Sequence, residues 1–111
     1  MSLDVHLKDP TSTYNTDDLY WANITHNLGD MAREAGIYES LWRPEEIGAK
    51  YAKDIIDTVE KGLADLKARP EYFKQFNSPN GWGMYHNFVP FVSDYLDALK
   101  EYPDAEIIVS R

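Results

Sequence analysis

Apolar residues recur at helical spacing along three long stretches of this 111-residue chain, and this periodicity constrains the fold more than any other feature. The first stretch, Asn15–Ala35, ends before Gly36, which we expect to close the helix in the left-handed conformation. The second covers Pro44–Arg69, and the third extends over Asn87–Tyr102. The apolar stripes that predict these three principal helices are Tyr20, Ile24, Leu28, Met31 and Ala35, then Tyr51, Ile55, Val59, Leu63 and Leu66, and last Met84, Tyr85, Phe88, Phe91, Val92, Tyr95, Leu96, Leu99 and Tyr102.

Two stretches near the chain ends have the sequence pattern of strands. Apolar and polar residues alternate around Asp4–Asp9, and Ala105–Ser110 is rich in β-branched residues. A lone strand would leave its backbone groups unpaired, so we expect a small two-stranded sheet; pairing across a dimer is the alternative. Pro70–Phe76 adds a short helix. The predicted fold is therefore mainly α (α+β), with three principal helices, a short helix and a two-stranded sheet.

Three residues support predictions about the local backbone structure. Gly48 and Gly62 fall on the second apolar stripe, where each glycine costs a helix about 1 kcal/mol relative to alanine. We expect another part of the backbone to cross closely at both; simple tolerance is an equally weighted alternative. Pro90 interrupts the third stretch, and we prefer a helix capped by Asn87, with Pro90 in its first turn, to a longer kinked helix.

Length and composition indicate one folded domain over residues 1–111. Hydrophobic residues make up 43% of the chain and aromatic residues 14%, which predicts an aromatic-rich core. The absence of cysteine excludes disulfides and thiolate sites and fits a reducing compartment. No secretion signal and no apolar run long enough to span a bilayer is visible, so we expect a cytoplasmic protein without membrane contact.

The charge of the chain disfavours nucleic acid as a partner. Nineteen acidic residues oppose 11 basic ones, and the net charge of −8 repels phosphate backbones. The acidic residues are interspersed with lysines, which also argues against a mimic of nucleic acid.

A polar stripe on the first predicted helix is the candidate binding site. Asn23, His26, Asn27 and Asp30 follow one another at helical spacing and combine amide, imidazole and carboxylate groups on one face. A solvated face, or one bonded to a neighbouring loop, is the more common explanation of such a pattern.

The stretch Asn77–Gly83 is the strongest loop signal, because it combines Pro, Asn-Gly and a second Gly around a single Trp. Such loops often carry function, although the Trp could instead fill the core. The residues that we assign to a ligand-binding site on the helix stripe and this loop are Asn23, His26, Asn27, Asp30, Trp82, Tyr85 and His86.

Metal binding and catalysis have weaker support. His26, Asp30 and Glu34 lie one helical turn apart and would need a further ligand, such as His86, to hold a divalent ion. No serine has the context of a catalytic nucleophile. We therefore predict no cofactor, assign no catalytic residue and leave open whether the chain is an enzyme.

Four short motifs resemble a family of short proteins from bacteria and their phages, and the likeness covers nearly the whole chain. The family has no assigned activity, so the resemblance implies a free-standing small protein and assigns no site residue. The motifs are Asn23-Ile24-Thr25-His26-Asn27-Leu28, Leu41-Trp42-Arg43-Pro44-Glu45-Glu46, Ala68-Arg69-Pro70-Glu71-Tyr72-Phe73 and Asn80-Gly81-Trp82-Gly83-Met84-Tyr85.

Two functional hypotheses follow. The leading one is a small acidic binding module that docks on a protein partner or on itself through an aromatic surface, because Tyr and Trp anchor interfaces well. The alternative is a small-molecule or metal site, with catalysis left open, between the helix stripe around His26 and the Trp82 loop. The alternative predicts that the stripe and the loop face each other around a cavity.

Overall fold

A three-stranded antiparallel sheet, with helices against one face, forms the framework of the protein. The computed structural model describes residues 2–11 and 18–111. The strands are β1 Ser2–Lys8, β2 Asp18–Thr25 and β3 Glu106–Ser110, in the order β2-β1-β3. The helices are α1 Gly29–Glu34, α2 Tyr38–Trp42, α3 Ile56–Ala68, α4 Pro70–Lys74 and α5 Tyr85–Glu101, and 3-10 turns cover His26–Leu28, Pro44–Ile47 and Ala52–Asp54.

The predicted helix Asn15–Ala35 is wrong over most of its length, since Asp18–Thr25 is strand β2 and only Gly29–Glu34 is α-helical. Its first residues, 15–17, lie outside the described part of the chain. Tyr20 and Ile24, which suggested a helix by their spacing of four, also fit the period of two in a strand. Pairing of β2 with β1 decides between the two periods. The predicted two-stranded sheet is therefore wrong, and the sheet has three strands.

Strand β1 lies at the centre of the sheet and pairs with both neighbours. Val5 is opposite Ala22 on β2 and Val109 on β3, so the terminal strands pair within the chain. Leu3, Val5 and Leu7 are fully buried against the helices. The other face of β1 is polar and meets the outward-facing residues of β2 and β3.

The second predicted helix begins twelve residues later than expected, at Ile56 instead of Pro44. Gly48 adopts a φ of +71° and ends the 3-10 turn Pro44–Ile47, and no atom lies within 4 Å of the Cβ that it lacks. The chain then runs beside β3, where Tyr51 bridges Glu106. The predicted backbone crossing at Gly48 is therefore wrong, because this glycine supplies a left-handed turn.

The predicted close approach at Gly62 is confirmed. A Cβ on this α3 residue would lie 2.3 Å from Ile37 Cγ2 and 3.1 Å from the Ala35 carbonyl oxygen. The segment after α1 thus crosses α3 at its glycine. Gly36 has a φ of +75°, as predicted for the residue that closes the preceding helix.

Helix α5 begins at Tyr85, whose backbone N–H donates to Asn77 Oδ1 at 2.7 Å. The predicted cap at Asn87 is therefore wrong, and Pro90 lies inside the helix, where it removes one backbone donor. Helix α5 packs on α3 and β2, and its buried residues include Phe88, Val92 and Tyr95. None of the helices in the described part of the chain has the length and apolar character needed to cross a membrane.

Candidate functional site

The turn at residues 25–28 meets the loop at residues 78–83, although the two are far apart in the sequence. Asn27 Nδ2 donates to the Trp82 carbonyl oxygen at 2.9 Å. Thr25 Oγ1 caps the 3-10 turn by accepting from the Asn27 backbone N–H at 3.3 Å. Gly83, with a φ of +109°, leaves room for the turn, because a Cβ there would lie 2.8 Å from Asn27 Cβ. The side chain of Asn27 and the glycine together fix the loop against the turn.

Internal hydrogen bonds give the loop its shape. Asn80 Oδ1 accepts from the Trp82 backbone N–H at 2.9 Å and from the Ser78 hydroxyl at 2.6 Å. The Ser78 N–H closes the loop by donating to the Gly83 carbonyl oxygen at 3.2 Å. The Trp82 indole is 70% exposed, so it does not fill the core. The loop therefore presents a large aromatic ring to solvent from a hydrogen-bonded backbone.

A groove of about 940 Å³ lies between the turn and the loop, and we call it the Trp82 groove. Its buried side chains are apolar, whereas the exposed amide side chains around it are neutral and polar. The groove is lined by Ser2, Asn23, Ile24, Thr25, His26, Asn27, Leu28, Gly81, Trp82, Gly83, Asn87 and Phe91.

A second depression, of about 780 Å³, shares His26 and Asn27 with the groove, and we call it the arginine pocket. Three arginines and the aromatic side chains of Tyr38, Trp42 and Phe76 contribute to its walls. The pocket is lined by His26, Asn27, Gly29, Asp30, Arg33, Tyr38, Trp42, Arg43, Gln75, Phe76, Asn77, Ser78, Pro79 and Arg111.

His26 lies in the shared wall, and its hydrogen bond fixes its tautomer. Its Nδ1 accepts from Trp42 Nε1–H at 2.8 Å. Because an indole N–H can only donate, Nδ1 carries no proton in this arrangement, and the neutral ring bears its proton on Nε2. Trp42 is buried and stacks on Tyr38 with ring centroids 5.3 Å apart. The imidazole is therefore held by the aromatic cluster of α2.

The structure places four of the seven predicted site residues, Asn23, His26, Asn27 and Trp82, around the Trp82 groove. Asn23 reaches it as a strand residue, and its Nδ2 donates to Asp4 Oδ1 at 2.5 Å on the open face of the sheet. The helical stripe predicted to join these residues does not exist, because Asn23 is in strand β2 whereas His26 and Asn27 are in the 3-10 turn that follows it.

The other three predicted site residues lie elsewhere. Asp30 is in the wall of the arginine pocket and accepts from Arg33 at 3.0 Å. The Tyr85 hydroxyl donates to the Leu66 carbonyl oxygen at 2.7 Å, which ties α5 to α3. His86 is exposed on α5 and lines neither depression.

The weak metal candidates His26, Asp30 and Glu34 do not assemble. Each has a different partner, since Glu34 accepts from the Tyr72 hydroxyl at 2.9 Å. Among residues 2–11 and 18–111, no three or more His, Asp and Glu side chains are grouped to hold a metal ion. The prediction fails because it required one continuous helix, and His26 lies in a 3-10 turn that follows a strand.

Sequence reasoning missed several residues of both depressions. Asn87 and Phe91 line the Trp82 groove from α5. Arg33, Arg43 and Arg111 line the arginine pocket and come from separate parts of the chain. A spacing of 68 residues between Arg43 and the C-terminal Arg111 leaves no local pattern that could have found them.

No family model, curated protein or solved structure matches this chain. The resemblance to short bacterial and phage proteins therefore stays an expectation.

Proposed function

We propose that this protein binds a small organic molecule with a planar group in the Trp82 groove. The observation that carries the proposal is the 70% exposed Trp82 indole, held at the edge of the groove by a loop with its own hydrogen-bond network. Because the backbone that carries the indole is already ordered, binding costs little loop entropy, and ring stacking with a planar ligand contributes about 0.5–1.5 kcal/mol beyond burial.

The lining of the groove supports a largely neutral planar ligand. Ile24, Leu28 and Phe91 supply buried apolar surface, and the amides of Asn27 and Asn87 supply donors and acceptors. Small-molecule sites combine apolar walls with a few polar groups that set the orientation of the ligand, in volumes of roughly 300–1,000 Å³. The groove fits that description, and we assign it a binding role without a catalytic residue.

Fluorine NMR of protein labelled with 5-fluorotryptophan tests the proposal, because the three tryptophans lie in three different places. Trp82 lines the groove, Trp42 lines the arginine pocket, and Trp21 is 57% exposed on the open face of the sheet. Single Trp→Phe variants assign the three signals. The probes are a panel of neutral planar compounds, among them adenosine, thymidine, nicotinamide and indole.

We expect at least one compound to shift the Trp82 signal saturably and leave the Trp21 signal in place. Asn87→Ala should weaken that binding, whereas Asp97→Ala, an exposed change on the same helix outside the groove, should not. A panel that moves no signal, or moves Trp21 and Trp82 equally, contradicts a site in the groove.

A second candidate function is self-association through strand β2. Among the described residues, β2 pairs only with β1, so it forms an edge of the sheet. It also presents Trp21 and Leu19 to solvent on the open face of the sheet. Edge strands with exposed apolar residues are ready to pair with another chain, and pairing of two copies of β2 would give a symmetric dimer.

Light scattering after size exclusion, over a range of protein concentrations, tests this second function. We expect a concentration-dependent dimer that Trp21→Lys abolishes and Trp82→Lys does not. A monomer at every concentration, or a dimer insensitive to Trp21→Lys, contradicts pairing through β2.

A further inference from the structure

Three of the four arginines in this acidic chain converge on one pocket. Arg33, Arg43 and Arg111 line it, whereas Arg69 lies between α3 and α4, outside the lining, and pairs with Asp65. The lining contains one carboxylate, Asp30, so the walls of the pocket are positive in a chain of net charge −8. We infer that the arginine pocket binds a small oxyanion, such as a phosphate ester or a polycarboxylate.

The aromatic cluster of α2 holds the three guanidinium groups in place. The Arg33 guanidinium lies 4.0 Å from the centre of the Tyr38 ring. Arg43 Nη1 donates to Glu46 Oε2 at 3.2 Å, and the Tyr38 hydroxyl, followed by Glu46, raises the pKa of the guanidinium. Arg111 Nη1 donates to the Trp42 carbonyl oxygen at 2.8 Å. Tyr38 stacks on the buried Trp42, so this rigid pair positions Arg33 through the Tyr38 ring and Arg111 through the Trp42 backbone.

The guanidinium groups retain donors for a ligand. Among the described residues, the hydrogen bonds of Arg33 and Arg111 all start from Nη1. Each guanidinium has five N–H bonds in a planar fork that matches two oxygens of a phosphate or carboxylate. Nε and Nη2 of both residues can therefore donate to an oxyanion.

Carboxylates that pair with the arginines do not block such a ligand. Arg33 pairs with Asp30 and Arg43 with Glu46, and the side chains of both acids are more than half exposed. Exposed ion pairs contribute about 0–1 kcal/mol, so a ligand bound by two or more guanidinium groups can displace them. Glu45, the partner of Arg111, lies outside the pocket lining.

The ligand should be small. The pocket occupies about 780 Å³, and the negative charge of the remaining surface repels an extended polyanion. The inference does not depend on the Trp82 groove, because none of the three arginines lines that groove.

Titration of the 5-fluorotryptophan protein with pyrophosphate and with citrate, at constant ionic strength and with sodium chloride as control, tests the inference. We expect a saturable shift of the Trp42 signal that chloride does not produce. Tighter pyrophosphate binding would indicate a phosphate ester as the natural ligand, and tighter citrate binding a polycarboxylate. No saturable shift with either anion would overturn the inference.

Two variants and a matched control locate the anion. Arg43→Gln should weaken binding about tenfold, the effect of losing a charge-assisted hydrogen bond. Glu46→Gln should tighten binding, because it removes the competing carboxylate, and this variant keeps the test valid if Arg43→Gln unfolds. Arg69→Gln removes the same charge outside the pocket and should leave binding unchanged. An equal loss in Arg43→Gln and Arg69→Gln would show a general charge effect and overturn the site.

Discussion

The packed helices and the two depressions use different forces to hold their residues. Phe88, Val92 and Tyr95 on α5 are fully buried, so apolar burial places them. Trp82, only a few residues earlier in the chain, is 70% exposed and is placed by hydrogen bonds of the loop backbone. Side chains in the first region therefore determine stability, and those in the second are available for binding. Mutations should separate the two properties.

The largest expected contrast is between Phe88→Ala and Trp82→Ala. Removing the buried Phe88 ring should lower the free energy of unfolding by about 3–5 kcal/mol. Removing the exposed Trp82 indole should change it by no more than about 0.5 kcal/mol. Urea denaturation followed by circular dichroism measures both. A comparable loss in the two variants would mean that Trp82 belongs to the core.

Helical periodicity predicted the buried residues of the long helices better than the residues near the two depressions. Val59, Leu63 and Leu66 on α3 are buried as their spacing required, because a single period describes that stripe. Tyr20 and Ile24 fit two periods, and the choice depends on pairing between β2 and β1, which local periodicity does not contain. For this reason the predicted sheet lacked strand β2.

The candidate site was predictable only where neighbouring residues in the sequence stay together in the fold. His26 and Asn27 lie in one turn and Trp82 in one loop, and these segments line a common groove. The arginine pocket combines residues from α1, from the end of α2 and from the C-terminal residue. The pocket forms only through tertiary packing, so no local sequence motif predicts it.

The next contrast concerns two glycines that both lie in helices. Gly62→Ala should destabilise the protein by about 1–3 kcal/mol, because its Cβ would overlap Ile37 Cγ2 and approach the Ala35 carbonyl oxygen. Gly29→Ala, in α1 beside the arginine pocket, places its Cβ no closer than 3.5 Å to any neighbour. It should be neutral or slightly stabilising, since alanine favours a helix. Thermal unfolding distinguishes them, and equal melting temperatures would contradict the close crossing at Gly62.

Removing the hydroxyl should change the free energy of unfolding in opposite directions at two tyrosines of α5. The Tyr95 hydroxyl is buried without a hydrogen-bond partner among the described residues, and burial raises its pKa. Tyr95→Phe should therefore raise the free energy of unfolding by about 1 kcal/mol. Tyr85→Phe removes the bond to the Leu66 carbonyl oxygen and should lower it by about 1 kcal/mol. Urea denaturation measures both signs, and destabilisation by Tyr95→Phe would imply a partner for its hydroxyl.

The smallest expected effect is at Asp54, where the chain leaves the edge of β3 and enters α3. Its carboxylate accepts from the backbone N–H groups of Tyr51 at 2.9 Å and Lys50 at 3.0 Å, and these bonds lower its pKa below the ordinary 3.8. The unfolded chain therefore binds this proton more readily than the folded one. The contribution to stability is complete above pH 3.8 and is lost as the pH falls through the folded-state pKa.

Asp54→Asn should consequently lower stability at pH 7 by less than about 1 kcal/mol, because an amide oxygen still accepts from the backbone. It should also reduce the loss of stability on acidification below pH 4. Asp57→Asn, which removes the same charge from the exposed face of α3, is the matched control at pH 7 and should cost less. Parallel acid-denaturation curves of wild type and Asp54→Asn would contradict this linkage between the protonation of Asp54 and the free energy of unfolding.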